Sequence, residues 1–311
     1  MSYIKNEFFF PSGSGLCDIH AASYKPDGVT VRAVLQIAHG MAEHFERYEA
    51  FISFLCDNGI AVFVNDHVGH GKSIKNDSEL GFFGTADGSW KNFVEDCRKL
   101  TLIAKEEYPD APYFFFGHSM GSFVARSYAA KYANDITGAI FCGTAGANPA
   151  VSAGIAVAKL IAKFKGDHHR SNLINGMAFG AYNKKFEGRT PFDWLTKDTD
   201  IVDKYIADKY CGFLFTAYGY RDMFGLLGYV SSKEWYASMN KNLPVFLIAG
   251  KDDPVGNYGK GIEEVKNKLS AAGVKDVSMT LYNNCRHEIL NESDTVATVE
   301  SDVLKWIERY I

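Results

Sequence analysis

The 311-residue sequence predicts an α/β fold: a mostly parallel central sheet flanked by helices, with a helical cap inserted. Two observations carry this. Short β-like runs alternate with helix-patterned stretches, the signature of a parallel sheet covered on both faces. The strand rhythm then stops after Cys142 and resumes only at Val245, and the intervening stretch is helical in pattern and rich in Ala, Phe and Tyr.

In chain order, residues 5–24 read as a leading antiparallel hairpin turning at Pro11 to Gly15. Arg32 to Ala38, Ala61 to Asn65, Tyr113 to Phe116, Gly138 to Cys142, Val245 to Ala249 and Val277 to Tyr282 read as strands. Helices show through apolar positions stepping by three or four: Tyr48, Phe51, Ile52 and Leu55; Val124, Tyr128 and Tyr132; Ile262, Val265 and Leu269; and Val296, Val299, Val303, Trp306 and Tyr310. The expected division is a core of residues 1–146 and 232–311 and a cap of residues 147–231. Ile155, Ala158, Ile161, Phe164, Phe213, Phe215 and Tyr218 are expected mainly to pack the cap onto the core. Ile155 to Phe164, with Lys159 and Lys163, also offers a transient membrane-surface contact, although packing is the preferred reading.

Composition excludes several classes. A content of 47% apolar and 14% aromatic residues suits a large core, and 29 Gly with 8 Pro are not linker-like amounts. A net charge of −4, with no stretch that interleaves basic and aromatic residues, argues against nucleic acid as a partner. The six cysteines, Cys17, Cys56, Cys97, Cys142, Cys211 and Cys285, are dispersed, form no C-x-x-C pair and read as free, buried thiols. Met1 to Phe10 lacks the apolar stretch of a signal peptide, and no window is apolar enough to span a bilayer, so a reducing cytoplasm is the expected address. Nothing in the sequence specifies an oligomeric state.

The pentapeptide Gly117-His118-Ser119-Met120-Gly121 lies between a strand and a helix, the context of a nucleophile elbow. Glycine two residues to either side of Ser119 lets the backbone come close around a strained serine. A serine hydroxyl needs a base, and the base an orienting anion. In α/β-hydrolases, the folds that carry such an elbow, the partners follow as serine, then Asp or Glu, then histidine, each from a loop at the carboxyl end of a strand. His287, just beyond the run ending at Tyr282, is the expected base, since His168 and His169 fall in the cap. Asp253, in Gly250-Lys251-Asp252-Asp253-Pro254, is favoured over Asp252 as the acid, because the following proline biases it towards an extended conformation. The Met120 N–H and the Met41 N–H, the latter from His39-Gly40-Met41, are expected to form an oxyanion hole, with Gly40 letting the backbone approach the substrate.

Two other strings fail. Gly71-Lys72-Ser73 resembles the end of a phosphate-binding loop, but the leading glycine position is Asp66. The pairs His39/His44 and His67/His70 match no zinc spacing, and no metal or organic cofactor is expected.

With these residues in place, the chain resembles the monoacylglycerol lipase and lysophospholipase branch of the α/β-hydrolase superfamily over nearly its whole length. The resemblance rests on His39 to His44 with Arg47-Tyr48, Asp66 to Ser73, Gly117 to Gly121, and the Asp253 and His287-Glu288 loops, supported by Phe192 to Thr196 and Cys211 to Phe213. It implies a Ser119, Asp253 and His287 triad with Met41 and Met120 at the oxyanion hole. It also implies that Glu43 and Arg47 hold a glycerol head group, a role that a structural ion pair equals. Met41 stands where many relatives carry a smaller residue, and Ser122 replaces a frequent second glycine; both differences bear on chain-length preference. The expected activity is hydrolysis of a small-molecule acyl ester through an acyl-enzyme. Small or aromatic esters, thioesters, N-terminal amides and acyl transfer are alternatives within the same chemistry. A non-catalytic ligand-binding protein is the rival from another class.

Overall fold

The computed structural model describes residues 3–311. Strands β1 (Tyr3–Pro11) and β2 (Asp18–Pro26) pair antiparallel from Tyr3 opposite Pro26 to Pro11 opposite Asp18. The hairpin is therefore longer than the expected one. Strands β3 (Ala33–Ala38), β4 (Ile60–Asn65), β5 (Tyr113–His118), β6 (Gly138–Cys142), β7 (Val245–Gly250) and β8 (Val277–Tyr282) complete an eight-stranded sheet of order β1-β2-β4-β3-β5-β6-β7-β8. From β4 to β8 all neighbours are parallel, and β2 joins β4 antiparallel.

Helices α1 (Glu49–Asp57), α2 (Lys91–Glu107) and α3 (Met120–Lys131) connect the first half of the sheet. Between β6 and β7 the chain runs through α4 (Val151–Lys165), α5 (Asn172–Phe179), α6 (Thr199–Ala207), α7 (Ala217–Val230) and α8 (Lys233–Ser238). Helices α9 (Lys260–Ala271) and α10 (Val296–Glu308) close the fold. Helix α2 is an addition to the expected elements. Its buried Phe93, Val94, Cys97, Leu100 and Ala104 recur at helical spacing, interrupted by the equally buried Asp96 and Thr101.

Alternation along the strands sends side chains to two cores. Phe114 and Phe116 join Ile52, Leu55, Val303 and Trp306 from α1 and α10. Phe115, between them, joins Phe93, Val124, Tyr128 and Val265 from α2, α3 and α9. Trp306 stacks on Phe246 at 5.7 Å and meets the edge of Phe114 at 5.9 Å. Each such buried side chain contributes about 2–3 kcal/mol of transfer free energy. All six cysteines are free, and Cys17 alone is not fully buried. Among the described residues no helix is long and apolar enough to cross a membrane.

The segment between β6 and β7 is fixed where it leaves the sheet and where it returns. Arg126 of α3 is fully buried and donates to the Ala145 carbonyl at 2.9 Å and to Thr144 Oγ1 at 3.2 Å on the outgoing side. On the returning side it donates to the Val230 carbonyl at 2.5 Å, and its guanidinium stacks over Trp235 at 4.4 Å. Burial lowers its pKa to about 10, which leaves it charged at neutral pH. Carbonyl oxygens and an aromatic face thus compensate a buried cation that has no carboxylate partner among the described residues.

Candidate active site

Close packing makes the turn at Ser119. A side chain at position 117 would put its Cβ 2.1 Å from the Gly121 carbonyl oxygen, and one at 121 would come 2.1 Å from that of Ala38. Only glycine allows β3, β5 and α3 to approach this closely. Ser119 sits between them at φ 53°, a left-handed conformation that a non-glycine residue adopts only when its surroundings impose it. Its N–H donates to the Cys142 carbonyl at 2.9 Å, and its own carbonyl accepts from the Ser122 hydroxyl at 2.6 Å. Ser122, where the resemblance led to expect glycine in many relatives, thereby braces the turn.

His287 and Asp253 face each other from the loops that follow β8 and β7. Nδ1 of His287 lies 3.0 Å from Oδ1 of Asp253, and both side chains are almost wholly buried. The approach is off the N–H axis, and neither ring nitrogen makes an aligned hydrogen bond among the described residues. Asp253 Oδ1 also accepts the Val255 N–H at 2.8 Å, while the neighbouring Asp252 is exposed. The His287 ring is walled by His118 at 4.7 Å and Trp194 at 5.1 Å. At Gly143 any Cβ would come within 3.1 Å of the imidazole. Ser119 and His287 line one cavity together with Gly40, Met41 and Met120. The Met41 and Met120 N–H groups make no hydrogen bond to the chain among the described residues.

The loop after β3 is held against Ser119 by a buried ion cluster. A Cβ at Gly40 would meet Glu43 Oε1 at 2.6 Å and Ser119 Cβ at 3.1 Å, so the loop lies directly on the turn. Glu43 accepts the Gly40 N–H at 2.5 Å and the Tyr48 hydroxyl at 2.8 Å and pairs with Arg47. Arg47 makes a two-pronged bond to Glu288, at 2.8 and 2.7 Å, and so ties this loop to the one carrying His287. Burial alone would raise the Glu43 carboxyl, but Arg47 and His118 outweigh it and hold it well below the carboxylate range. Burial likewise pushes His118 down, yet its contact with Glu43 at 3.4 Å more than offsets this and raises its pKa. His118 and Glu288 join the site although neither is a candidate on spacing alone. Their positions inside the pentapeptide and beside His287 were the available signals.

The cavity above Ser119 measures about 430 Å³, and its far walls are apolar: Val157, Ile174, Phe179, Met223 and Leu227 from the helices between β6 and β7 contribute. A smaller cavity, about 20 Å³, lies beside Arg47, Glu43, Tyr48 and His118. Among the described residues, one group of side chains of metal-binding type, His44, Asp208 and Cys211, comes together. There His44 Nε2 is already bonded to Asp208 at 2.8 Å, and Asp208 also accepts the Tyr210 N–H at 2.8 Å. This cluster reads as a tie between loops. The sequence Gly71-Lys72-Ser73 belongs to a turn around Asp66, whose carboxylate accepts the Lys72 N–H at 2.9 Å and the Phe45 N–H at 3.1 Å.

A mostly parallel eight-stranded sheet with a serine on a left-handed turn between strand and helix defines an α/β-hydrolase. Residues 29–294 match the family described as serine aminopeptidase, S33, and the chain belongs to that family. It is similar to a monoacylglycerol lipase of Mycolicibacterium smegmatis, 26% identical over 288 residues that cover 90% of this chain and 89% of that one. It is 28% identical to the monoglyceride lipase of Mus musculus over 292 residues, covering 93% and 86% of the two chains. Among solved structures, a thermostable carboxyl esterase from Bacillus coagulans in complex with glycerol superposes with a TM-score of 0.92 at 32% identity, covering 98% of each chain.

Next to the loop after β3 lie three buried histidines. His39 accepts the His67 N–H at 2.9 Å, and its ring lies 4.4 Å from that of His67 and 5.2 Å from that of His70. Burial, and then the proximity of one another, lowers all three pKa values: His39 to about 4, His70 to about 3, and His67 well below its ordinary value. In the unfolded chain each takes up a proton near pH 6.5, so below that pH the unfolded state binds more protons. Their contribution to stability is complete above about pH 6.5 and is lost as pH falls towards the folded values. His118, with its raised value, works in the opposite direction, but it is one group against three. The expected outcome is a melting temperature that drops steadily between pH 6.5 and pH 4, measured by calorimetry in buffers of constant ionic strength. A melting temperature constant across that interval would contradict the neutral burial of this cluster.

Proposed function

We propose that this chain is a serine carboxylic-ester hydrolase that cleaves monoacylglycerols or lysophospholipids. Ser119 attacks the ester carbonyl while His287 takes its proton, and Asp253 holds the imidazole in the required tautomer. The N–H groups of Met41 and Met120 receive the negative charge of the tetrahedral intermediate, each worth roughly 3 kcal/mol. The alcohol leaves with the proton from His287; water, activated by the same imidazole, then releases the fatty acid from Ser119. The carrying observation is a strained serine and a buried His–Asp pair opening into one large cavity with apolar walls.

The names of the relatives support an ester with a glycerol-type alcohol, and so does the glycerol in the Bacillus coagulans esterase. The family description raises an aminopeptidase as the competing reading. A free α-amino group is held most strongly by a carboxylate without another cationic partner, and the cavity's two carboxylates, Glu43 and Glu288, are both paired with Arg47, which favours the ester reading. Glu43 and Arg47 are accordingly assigned to holding the loop. The small cavity beside Arg47 has room for roughly one water molecule, so a glycerol head group would meet Glu43 only from the main cavity, where that carboxylate is already engaged by the Gly40 N–H, Tyr48 and Arg47.

Turnover of monoglycerides, lysophospholipids, graded p-nitrophenyl esters and aminoacyl anilides separates these readings. Long-chain monoesters are expected to give the highest kcat/KM, and a preference for the anilides would overturn the ester assignment. Ser119→Ala should lower kcat by at least about 10⁴-fold and Asp253→Asn by about 10³–10⁴-fold, with Asp252→Asn nearly unchanged. Equal losses from the two aspartate variants would remove Asp253 from its role.

A contact with lipid surfaces is favoured by α4 and α5, where Leu160, Phe164, Leu173 and Met177 are 58%, 73%, 63% and 61% exposed. Lys163 and Lys165 stand beside this apolar strip, a pattern suited to an anionic interface. Packing onto the core accounts for the opposite face of α4, with Ala158 and Ala162. The protein should co-sediment with phosphatidylglycerol vesicles, and Phe164→Glu should weaken that binding several-fold; absence of wild-type protein from the pellet would leave packing as the sole role of α4.

A further inference from the structure

We propose that Tyr205 of α6 is a positioning residue that holds the oxyanion-side loop in its working shape, so that the helical segment between β6 and β7 takes part in the chemical step as well as in enclosing substrate. The proposal rests on the reading of the Met41 N–H as an oxyanion donor.

Ala42, the residue after Met41, adopts φ 51°, a left-handed conformation costly for a residue with a Cβ. Such a residue keeps that conformation only if its neighbours are fixed on both sides. On the near side the Gly40 N–H is bonded to Glu43. On the far side the Ala42 carbonyl accepts two bonds, from the Tyr205 hydroxyl at 3.0 Å and from the Gly212 N–H at 2.9 Å. Both donors belong to the segment between β6 and β7. A third tie lies beside them, where His44 Nε2 meets Asp208 at 2.8 Å.

Tyr205 is itself well fixed. Its ring packs against Phe192 at 5.1 Å and lies under the Arg47 guanidinium at 4.8 Å. Burial keeps the phenol protonated and hence a donor. The same segment reaches the other half of the site, where the Leu195 carbonyl accepts the Glu288 N–H at 2.7 Å. Loss of the Tyr205 hydroxyl leaves the ring contacts in place but gives the Ala42 peptide, and with it Met41, more freedom. The effect falls on stabilisation of the tetrahedral intermediate, leaving acyl-chain binding intact.

The test compares wild type with Tyr205→Phe, counting active sites by fluorophosphonate titration. Expected in the variant are a kcat per titrated site about tenfold lower and a KM within about twofold of wild type. Inhibition by an alkyl boronic acid, which forms a tetrahedral adduct on the serine, should weaken by the same factor as kcat. Unchanged kcat and boronate affinity, with Ser119 titrating normally, would overturn the positioning role alone. Failure of the titration in the wild type, or its persistence in Ser119→Ala, would overturn the site reading and this proposal with it. If Tyr205→Phe does not fold, Asp208→Ala loosens the same segment at His44 and should show the same split between kcat and KM; a wild-type kcat in that variant would overturn the proposal.

Discussion

The contact on which the rest depends is the approach of α3 to the sheet at Gly117 and Gly121, where no Cβ fits between carbonyl oxygens and backbone. That proximity forces the chain through Ser119 at positive φ and lifts its side chain towards the cavity. The strain is tolerable because the neighbouring strands are buried on both faces and bonded in register along β3, β5 and β6. A more open turn would remove the strain and also the serine's projection from the sheet edge.

Around this turn the structure arranges its charges economically. One arginine, Arg47, neutralises two buried carboxylates from loops far apart in sequence, Glu43 and Glu288. Removing one member of such a cluster leaves an uncompensated buried charge, at a cost of about 3–5 kcal/mol. Arg126 works differently, with carbonyl oxygens and Trp235 in place of a carboxylate. The first cluster joins the two loops that flank Ser119, and the second anchors the helices above them. Both are devices of position, and together they leave the cavity with apolar far walls and, among the described residues, no unpaired carboxylate.

The strands were legible in the sequence because each is a short apolar run ended by turn residues, and the helices packed on them because their buried stripes repeat. Ser119 and His287 stand out in the sequence as candidates through the strand-turn-helix context of the pentapeptide and through the chain order that holds in α/β-hydrolases, and the structure lines one cavity with both. Asp253 was separable from Asp252 by the proline that follows it, and these two side chains do differ in burial. Helix α2 escaped because Asp96 and Thr101 interrupt its apolar stripe; both are buried through side-chain hydrogen bonds with distant residues. The partnership of Arg47 with Glu288, and that of Tyr205 with the Ala42 carbonyl, leave no local trace. They join segments 241 and 163 residues apart, and only the folded chain brings them together.

If strain and exposure at one turn make Ser119 the nucleophile, that serine alone reacts with an electrophilic ester mimic. Peptide mapping by mass spectrometry after brief exposure to an alkyl fluorophosphonate tests it most directly. A single phosphonyl adduct is expected, on Ser119, formed by the folded protein and absent when the protein is unfolded in urea before exposure. An adduct on any other residue of the folded protein, or equal labelling of the unfolded chain, would contradict it.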